Sequence, residues 1–252
     1  MKSYRKDIGF EFEVVSNISP TKLKKLIRKA TGWSGITTDT DCSIQYEDEN
    51  MNYGIEIQTK PVPAGAALVG LRKIYKIFRD NDIKTNDSTG VHVNISFSKK
   101  GYNHDIDAHK LQVITDDIKW LKKFERIDCE YAISPKFAIT ELIEKMNKKK
   151  NASDESVMTR IGSMTSRYES DENEMNIKEN SINITKLDSD SPYVEFRIIG
   201  GPNYQWKPKE SVKAIEHFNR AMDMSLGNKY DYLYKRYVSK MNHQPKYTII
   251  PH

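Results

Sequence analysis

The stretch GFEFEVV, residues 9–15, alternates apolar and acidic side chains within a strand-like run, and its reading decides the fold. Side chains two residues apart in a strand point the same way, so Phe10, Phe12 and Val14 share one face and Glu11 and Glu13 the other. At about 3.3 Å of rise per residue the two carboxylates stand roughly 6–7 Å apart. They repel unless something cationic sits between them. The segment therefore predicts a sheet that buries one face and needs a counter-charge on the other.

Five further stretches share this alternation: DCSIQY (41–46), YGIEIQT (53–59), VHVNISF (91–97), SINITKL (181–187) and YVEFRII (193–199). Their apolar positions are Cys42, Ile44, Tyr46, Ile55, Ile57, Val91, Val93, Ile95, Ile182, Ile184, Val194, Phe196 and Ile198, which define a core face. The opposite face carries Asp41, Ser43, Gln45, Glu56, Gln58, His92, Asn94, Ser96, Asn183, Thr185, Glu195 and Arg197. A merely solvated face would carry Lys and Thr. This one is acidic, with one His and one Arg, in a chain of net charge +5. Hard oxygen ligands with a single imidazole suit Mg²⁺, with Mn²⁺ as the alternative, better than zinc. Arg197, two residues from Glu195, reads as an ion-pair partner or as a fork for phosphate or carboxylate. His104 and His109 flank a helix start in polar sequence and read as surface residues.

Helical spacing is expected near 20–32, 66–79, 108–123, 137–149 and 208–226. The lysines of PTKLKKLIRKATG read as the solvated face of an amphipathic helix, not as a nucleic-acid patch. Residues 147–180 are polar and charged with little apolar periodicity, which predicts a mobile loop or lid whose Lys148–Lys150 run, Arg160 and Arg167 reach phosphates. Residues 228–252, rich in Tyr and Lys, predict a packed helix and a tail. No internal repeat or linker divides the chain, so residues 1–252 read as one domain. With 252 residues, 37% of them hydrophobic, there is enough apolar surface for a sizeable core. AGAALVGL, the longest uncharged apolar run, is too short to span a bilayer, and the start lacks a hydrophobic signal core, so a cytoplasmic protein is expected. Cys42 and Cys129 form no CxxC pair and read as reduced. A pI near 8.9 favours anionic ligands without demanding nucleic acid.

GFEFE, the D-x-S of Asp41 and Ser43, EIQTKPVP, STGVHVN and VEFRIIGGPN, in that order, resemble the amidoligase family common in phages and mobile elements and related to glutamine synthetase and glutamate–cysteine ligase. The likeness runs from residue 9 to residue 203, and Asn183 resembles the Asn of the family's penultimate strand. It implies an α+β fold like the glutamine synthetase catalytic domain: a curved, mainly antiparallel sheet with a polar concave active-site face and helices on the other. It further implies a cytoplasmic enzyme, of the host cytoplasm if of phage origin, using ATP and Mg²⁺ to join small-molecule or peptide carboxylates and amines through an acyl phosphate. By motif position, Glu11, His92 and Glu195 resemble ligands of the metal nearer the phosphates. Glu13 and Glu56, with Asp41, resemble those of the metal nearer the acceptor. Arg197 resembles the arginine that holds the transferred phosphate, and Asn94, Asn183 and Arg167 are further expected nucleotide contacts. Many relatives carry a second histidine where this chain has Asn94.

Phosphoryl transfer needs cations on the phosphate oxygens and a guanidinium for developing charge, which the acidic strands and Arg197 supply. No GxxxxGK[ST] loop occurs, which argues against a Walker-type ATPase. The competing readings are a two-metal hydrolase of phosphate or peptide bonds on the same residues, and a non-catalytic nucleotide- or metal-binding protein that keeps the fold.

Overall fold

A computed structural model describes residues 4–46, 51–148, 152–168, 179–187 and 189–243. The acid-bearing segment lies inside β1 (Lys6–Ser16), a long inner strand. β1 pairs with β3 (Tyr53–Gln58) on one side and β5 (Gly90–Phe97) on the other, while β4 (Val62–Pro63) adds a short pairing to it. β2 (Thr37–Thr40) extends the sheet beyond β3, and β7 (Val194–Gly200) followed by β6 (Ile182–Asn183) extends it beyond β5. The order is β2-β3-β1-β5-β7-β6, every ladder among the described residues is antiparallel, and the sheet is open and curved. The protein is α+β.

Phe10, Phe12, Val14, Ile55, Ile57, Val91, Val93, Ile95, Val194, Phe196 and Ile198 all sit in one buried cluster, as the alternation predicts. Helices supply much of its other half, chiefly α1 (Pro20–Thr31) with Leu23 and Ile27, α2 (Ala64–Asp80) with Leu71, Ile74, Tyr75 and Phe78, and α8 (Pro208–Ser225) with Ile215, Phe218 and Met222. Phe218 stacks on Phe196 at 4.5 Å, and Phe78 meets Phe12 edge-on at 5.8 Å. Each such side chain contributes about 1.5–3 kcal/mol through burial. α1 starts on the Ser19 cap with Pro20 in the first turn and stops at the left-handed Gly32, and its Lys22, Lys25, Arg28 and Lys29 face solvent. Gly70 in mid-α2 admits the Trp33 ring, which would lie 2.0 Å from a Cβ there and which stacks on Phe10.

Two expected strands are shorter or displaced, for the same reason. Residues 41–46 form a turn, not a strand. The Asp41 carboxylate accepts from the Ser43 amide at 2.8 Å and its hydroxyl at 2.7 Å, ending the strand at Thr40. Cys42 and Tyr46 are exposed, and Ile44 joins a small cluster with Val15 and Met51 instead of the sheet core. Residues 181–187 pair only over Ile182–Asn183, because the Asn183 amide oxygen accepts from the Thr185 backbone and hydroxyl. Asp and Asn close such turns with their own side chains, in competition with the ladder.

The helix expected over 108–123 is two, α4 (Ala108–Ile114) and α5 (Asp117–Lys123), after the four-residue α3 (Gly101–His104). At the break the Asp116 amide donates to His217 Nε2, and Lys136 Nζ donates to the Thr115 carbonyl and pairs with Asp117 at 3.1 Å. Side chains thus satisfy the groups that a continuous helix would have used. α6 (Pro135–Asn147) and α9 (Asp231–His243) lie near the expected places.

Within the segment 147–180 the chain forms α7 (Asp154–Tyr168), whose Val157 and Ile161 are buried with Val113, Ile139, Ile143, Val238 and Met241. Asn242 of α9 donates to the Ala152 carbonyl and to Asp154, and accepts from Asn147. The middle of the expected lid is therefore a packed helix. The i, i+4 pair Val157 and Ile161 is a weak periodic signal in a polar stretch, which is why composition alone misreads it. Residues 149–151 and 169–178 of that segment, and the expected tail 244–252, lie outside the described residues. No described helix is long and apolar enough to cross a membrane.

Candidate metal and anion site

Sheet register sets the site. Glu11 pairs across from His92, Glu13 from Glu56, and Glu195 from both Asn94 and Asn183. Pairing brings opposite side chains to within about 4.5–5.5 Å at Cβ, so polar-face residues scattered over 185 positions of sequence meet on five strands. The result is two groups. In each of the sets Glu11, His92, Glu195 and Glu13, Asp41, Glu56, one ligand-type atom per residue lies within 4.8 Å of the others. They coincide with the two sets that the family resemblance implies as metal ligands.

His92 joins them. Its Nδ1 lies 3.1 Å from Glu11 Oε2 and 3.0 Å from Glu195 Oε1, and its Nε2 lies 3.5 Å from Glu13 Oε1. Burial lowers the affinity of its ring for a proton, but the hydrogen bonds to Glu11 and Glu195 and the charge of Glu13 outweigh burial and raise its pKa to about 9. In the metal-free protein at neutral pH the ring is thus an imidazolium, whose charge lies among the carboxylates of Glu11, Glu13 and Glu195. Burial pushes Glu11 and Glu195 up, yet their hydrogen bonds to His92 bring both below the ordinary carboxylate value. Glu56 behaves oppositely: burial and the charges of Glu11 and Glu13 raise it, against the hydrogen bond from Gln58.

Asn94 donates from Nδ2 to Glu11 Oε1 at 2.9 Å, and Asn183 donates to Glu195 Oε2 at 2.6 Å. Expected as nucleotide contacts, both orient candidate metal ligands. The turn that shortens β6 also occupies the Asn183 carbonyl, which aims its NH₂ at Glu195. The buried Asn94 Oδ1 has no partner. An orphaned acceptor beside two carboxylates and an imidazole fits a hard cation or its bound water.

Between Val91 and Val93 the β5–β7 register slips: Val91 pairs with Ile199 but Val93 with Phe196, leaving one extra residue on β7. Arg197 sits at this bulge, a device that re-aims side chains next to sites. Its charge helps to lower Glu195 and opposes protonation of His92. Asp41 reaches its group from the turn after β2. Arg167 is at the end of α7, and its side chain lies outside the described residues; Arg160 is exposed on the same helix. His104 is exposed as expected, whereas His109 is half-buried against Gly162 of α7.

Two residues join this face that periodicity does not mark. Asp39, displaced onto it by the shift of β2, pairs across from Glu56. Arg126, in the loop after α5, is buried over the Gly90–Gly200 pair. A Cβ on Gly200 would lie 1.8 Å from Arg126 Nη1, and one on Gly90 would lie 2.6 Å from Nη1 and 3.2 Å from Glu13 Oε2. The glycines of STGV and RIIGG are therefore the bed of a guanidinium, the one signal in the sequence that points to it. Cavities adjoin both groups: one of about 350 Å³ lined by Asn94, Ser96 and Tyr193, and one of about 610 Å³ lined by Ser43, Ser88 and Arg126.

The chain matches no protein-family model and no curated protein.

Proposed function

We propose that this chain is an ATP- and Mg²⁺-dependent carboxylate–amine ligase, built on a fold of the glutamine synthetase catalytic-domain kind. The observation that carries the reading is the pair of three-residue ligand groups on one sheet face, meeting at His92. Divalent ions bound there would neutralise phosphate and carboxylate oxygens during transfer. Glu11, Glu195 and the deprotonated imidazole of His92 would hold one ion, and Glu13, Glu56 and Asp41 the other. Asn94 and Asn183 keep Glu11 and Glu195 oriented, as partners behind a metal ligand do. Arg197, at the bulge, would meet the charge that develops on the transferred phosphoryl group.

In the proposed reaction a substrate carboxylate oxygen attacks the γ-phosphorus, the bond to ADP breaks, and an acyl phosphate forms. The amine nitrogen then attacks the acyl carbon, phosphate leaves with the C–O electron pair, and the nitrogen gives up a proton.

The test is titration of the protein with ATP in Mg²⁺, in Mn²⁺ and in EDTA, followed by trapping with hydroxylamine in a metabolite extract. Metal-dependent ATP binding and an ATP-dependent hydroxamate, both lost in Glu195→Gln, are expected. ATP binding indifferent to metal would overturn the proposal. Hydrolysis of phosphate or peptide bonds without ATP would replace it with the two-metal hydrolase.

A further inference from the structure

Among the described residues five cationic side chains are buried, and four have carboxylate partners. Lys6 pairs with Asp223 at 2.6 Å, Lys110 with Asp231 at 2.5 Å, Lys136 with Asp117 at 3.1 Å, and His92 with the glutamates above. Arg126, only 4% exposed, is the exception. Its Nη1 donates to the Ile199 carbonyl at 2.9 Å and its Nη2 to Cys129 Sγ at 3.3 Å, while its Nε has no partner; no described carboxylate forms an ion pair with it. Burying a charge without an opposite charge is costly, and sulfur is a weak acceptor, so this guanidinium, which lines a cavity, is left to be met by an anion.

The surroundings say what kind of anion. Arg126 lines the cavity of about 610 Å³ whose other walls are the turn after β2, the turn before β5 and the loop after α5. Asp87, Asp128 and Glu130 line the same cavity from exposed positions. A buried guanidinium behind an acidic rim repels a polyanion and suits a small zwitterion, carboxylate inward and ammonium outward. The guanidinium and Glu13 share the space above Gly90, so the cavity wall that Arg126 forms lies beside the second carboxylate group.

We propose that Arg126 is the carboxylate receptor of an amino-acid site, and that the substrate seated there is a free, zwitterionic amino acid. Its role as a substrate rests on the ligase reading; its binding does not. The seated carboxylate is an anchor, neutralised by a fixed guanidinium, and is not the group that reacts.

The test screens each common L-amino acid against the full chain by ligand-observed NMR, with Mg²⁺-dependent ATP binding measured on the same samples. At least one amino acid should bind, and its carboxamide about ten-fold or more weakly, because the bidentate contact to Arg126 is lost. Arg126→Gln should lose the same factor. Because Arg126 also holds the Ile199 carbonyl, the Asp87→Asn, Glu130→Gln double variant, altered only at exposed positions, gives an independent readout. It should weaken the amino acid several-fold and leave its N-acetyl derivative unaffected. If no amino acid binds, or if the binder tolerates both the carboxamide and the rim changes, the inference fails. An amino acid bound through Arg126 without metal-dependent ATP binding would leave the site standing and remove the ligase.

Discussion

Raising the pH should strip the metal-free site of the proton that holds it together. His92 titrates at about 9 in the folded protein, against an ordinary 6.5, so the folded state binds this proton more tightly than the unfolded chain does. Its contribution is fully present below about pH 6.5 and disappears as the pH rises through about 9. A shift of that size corresponds to on the order of 3 kcal/mol, since each pKa unit is about 1.36 kcal/mol. Urea unfolding in EDTA between pH 6 and pH 10, for the natural chain and for His92→Gln, isolates it as the change in the stability difference between the two. That difference should shrink by about that amount across the window. Because a metal-ligating imidazole must be deprotonated, Mg²⁺ binding at pH 7 should also release close to one proton, read from calorimetry in buffers of different ionisation enthalpy. A stability difference that stays flat from pH 6 to pH 10 would refute the assignment of the site's charge to His92.

Two other changes test the scaffold. Gly200→Ala drives a Cβ to 1.8 Å from Arg126 Nη1 and 2.8 Å from the Gly90 Cα, so it should cost about 1–3 kcal/mol in urea unfolding, whereas Gly65→Ala in α2, with nothing within 4 Å, should be neutral or stabilising. Ile161→Ala should destabilise by about 2–5 kcal/mol and speed hydrogen exchange in α6, α7 and α9 more than in β1, because Ile161 is buried among the helices and not against the sheet.

The period of two in GFEFEVV, VHVNISF and VEFRII was enough to assign the core face and to put Glu11, Glu13, His92 and Glu195 on the other. Alternation is imposed by the backbone itself and needs no neighbour. It could not decide where a strand stops when Asp41 or Asn183 turns its side chain back on the chain, since ladder and turn compete for the same backbone groups and tertiary pairing selects between them. Nor could period two place Arg197, because the extra residue that re-aims it exists only relative to β5. Arg126 belongs to no periodic segment. It becomes a buried charge over the sheet only because Gly90 and Gly200, 110 residues apart in the chain, are paired across β5 and β7 and leave it room. Local sequence fixed which side chains face together, and only the meeting of distant strands set their charges, because a pKa depends on what lies within a few ångströms and not on what lies nearby in the chain.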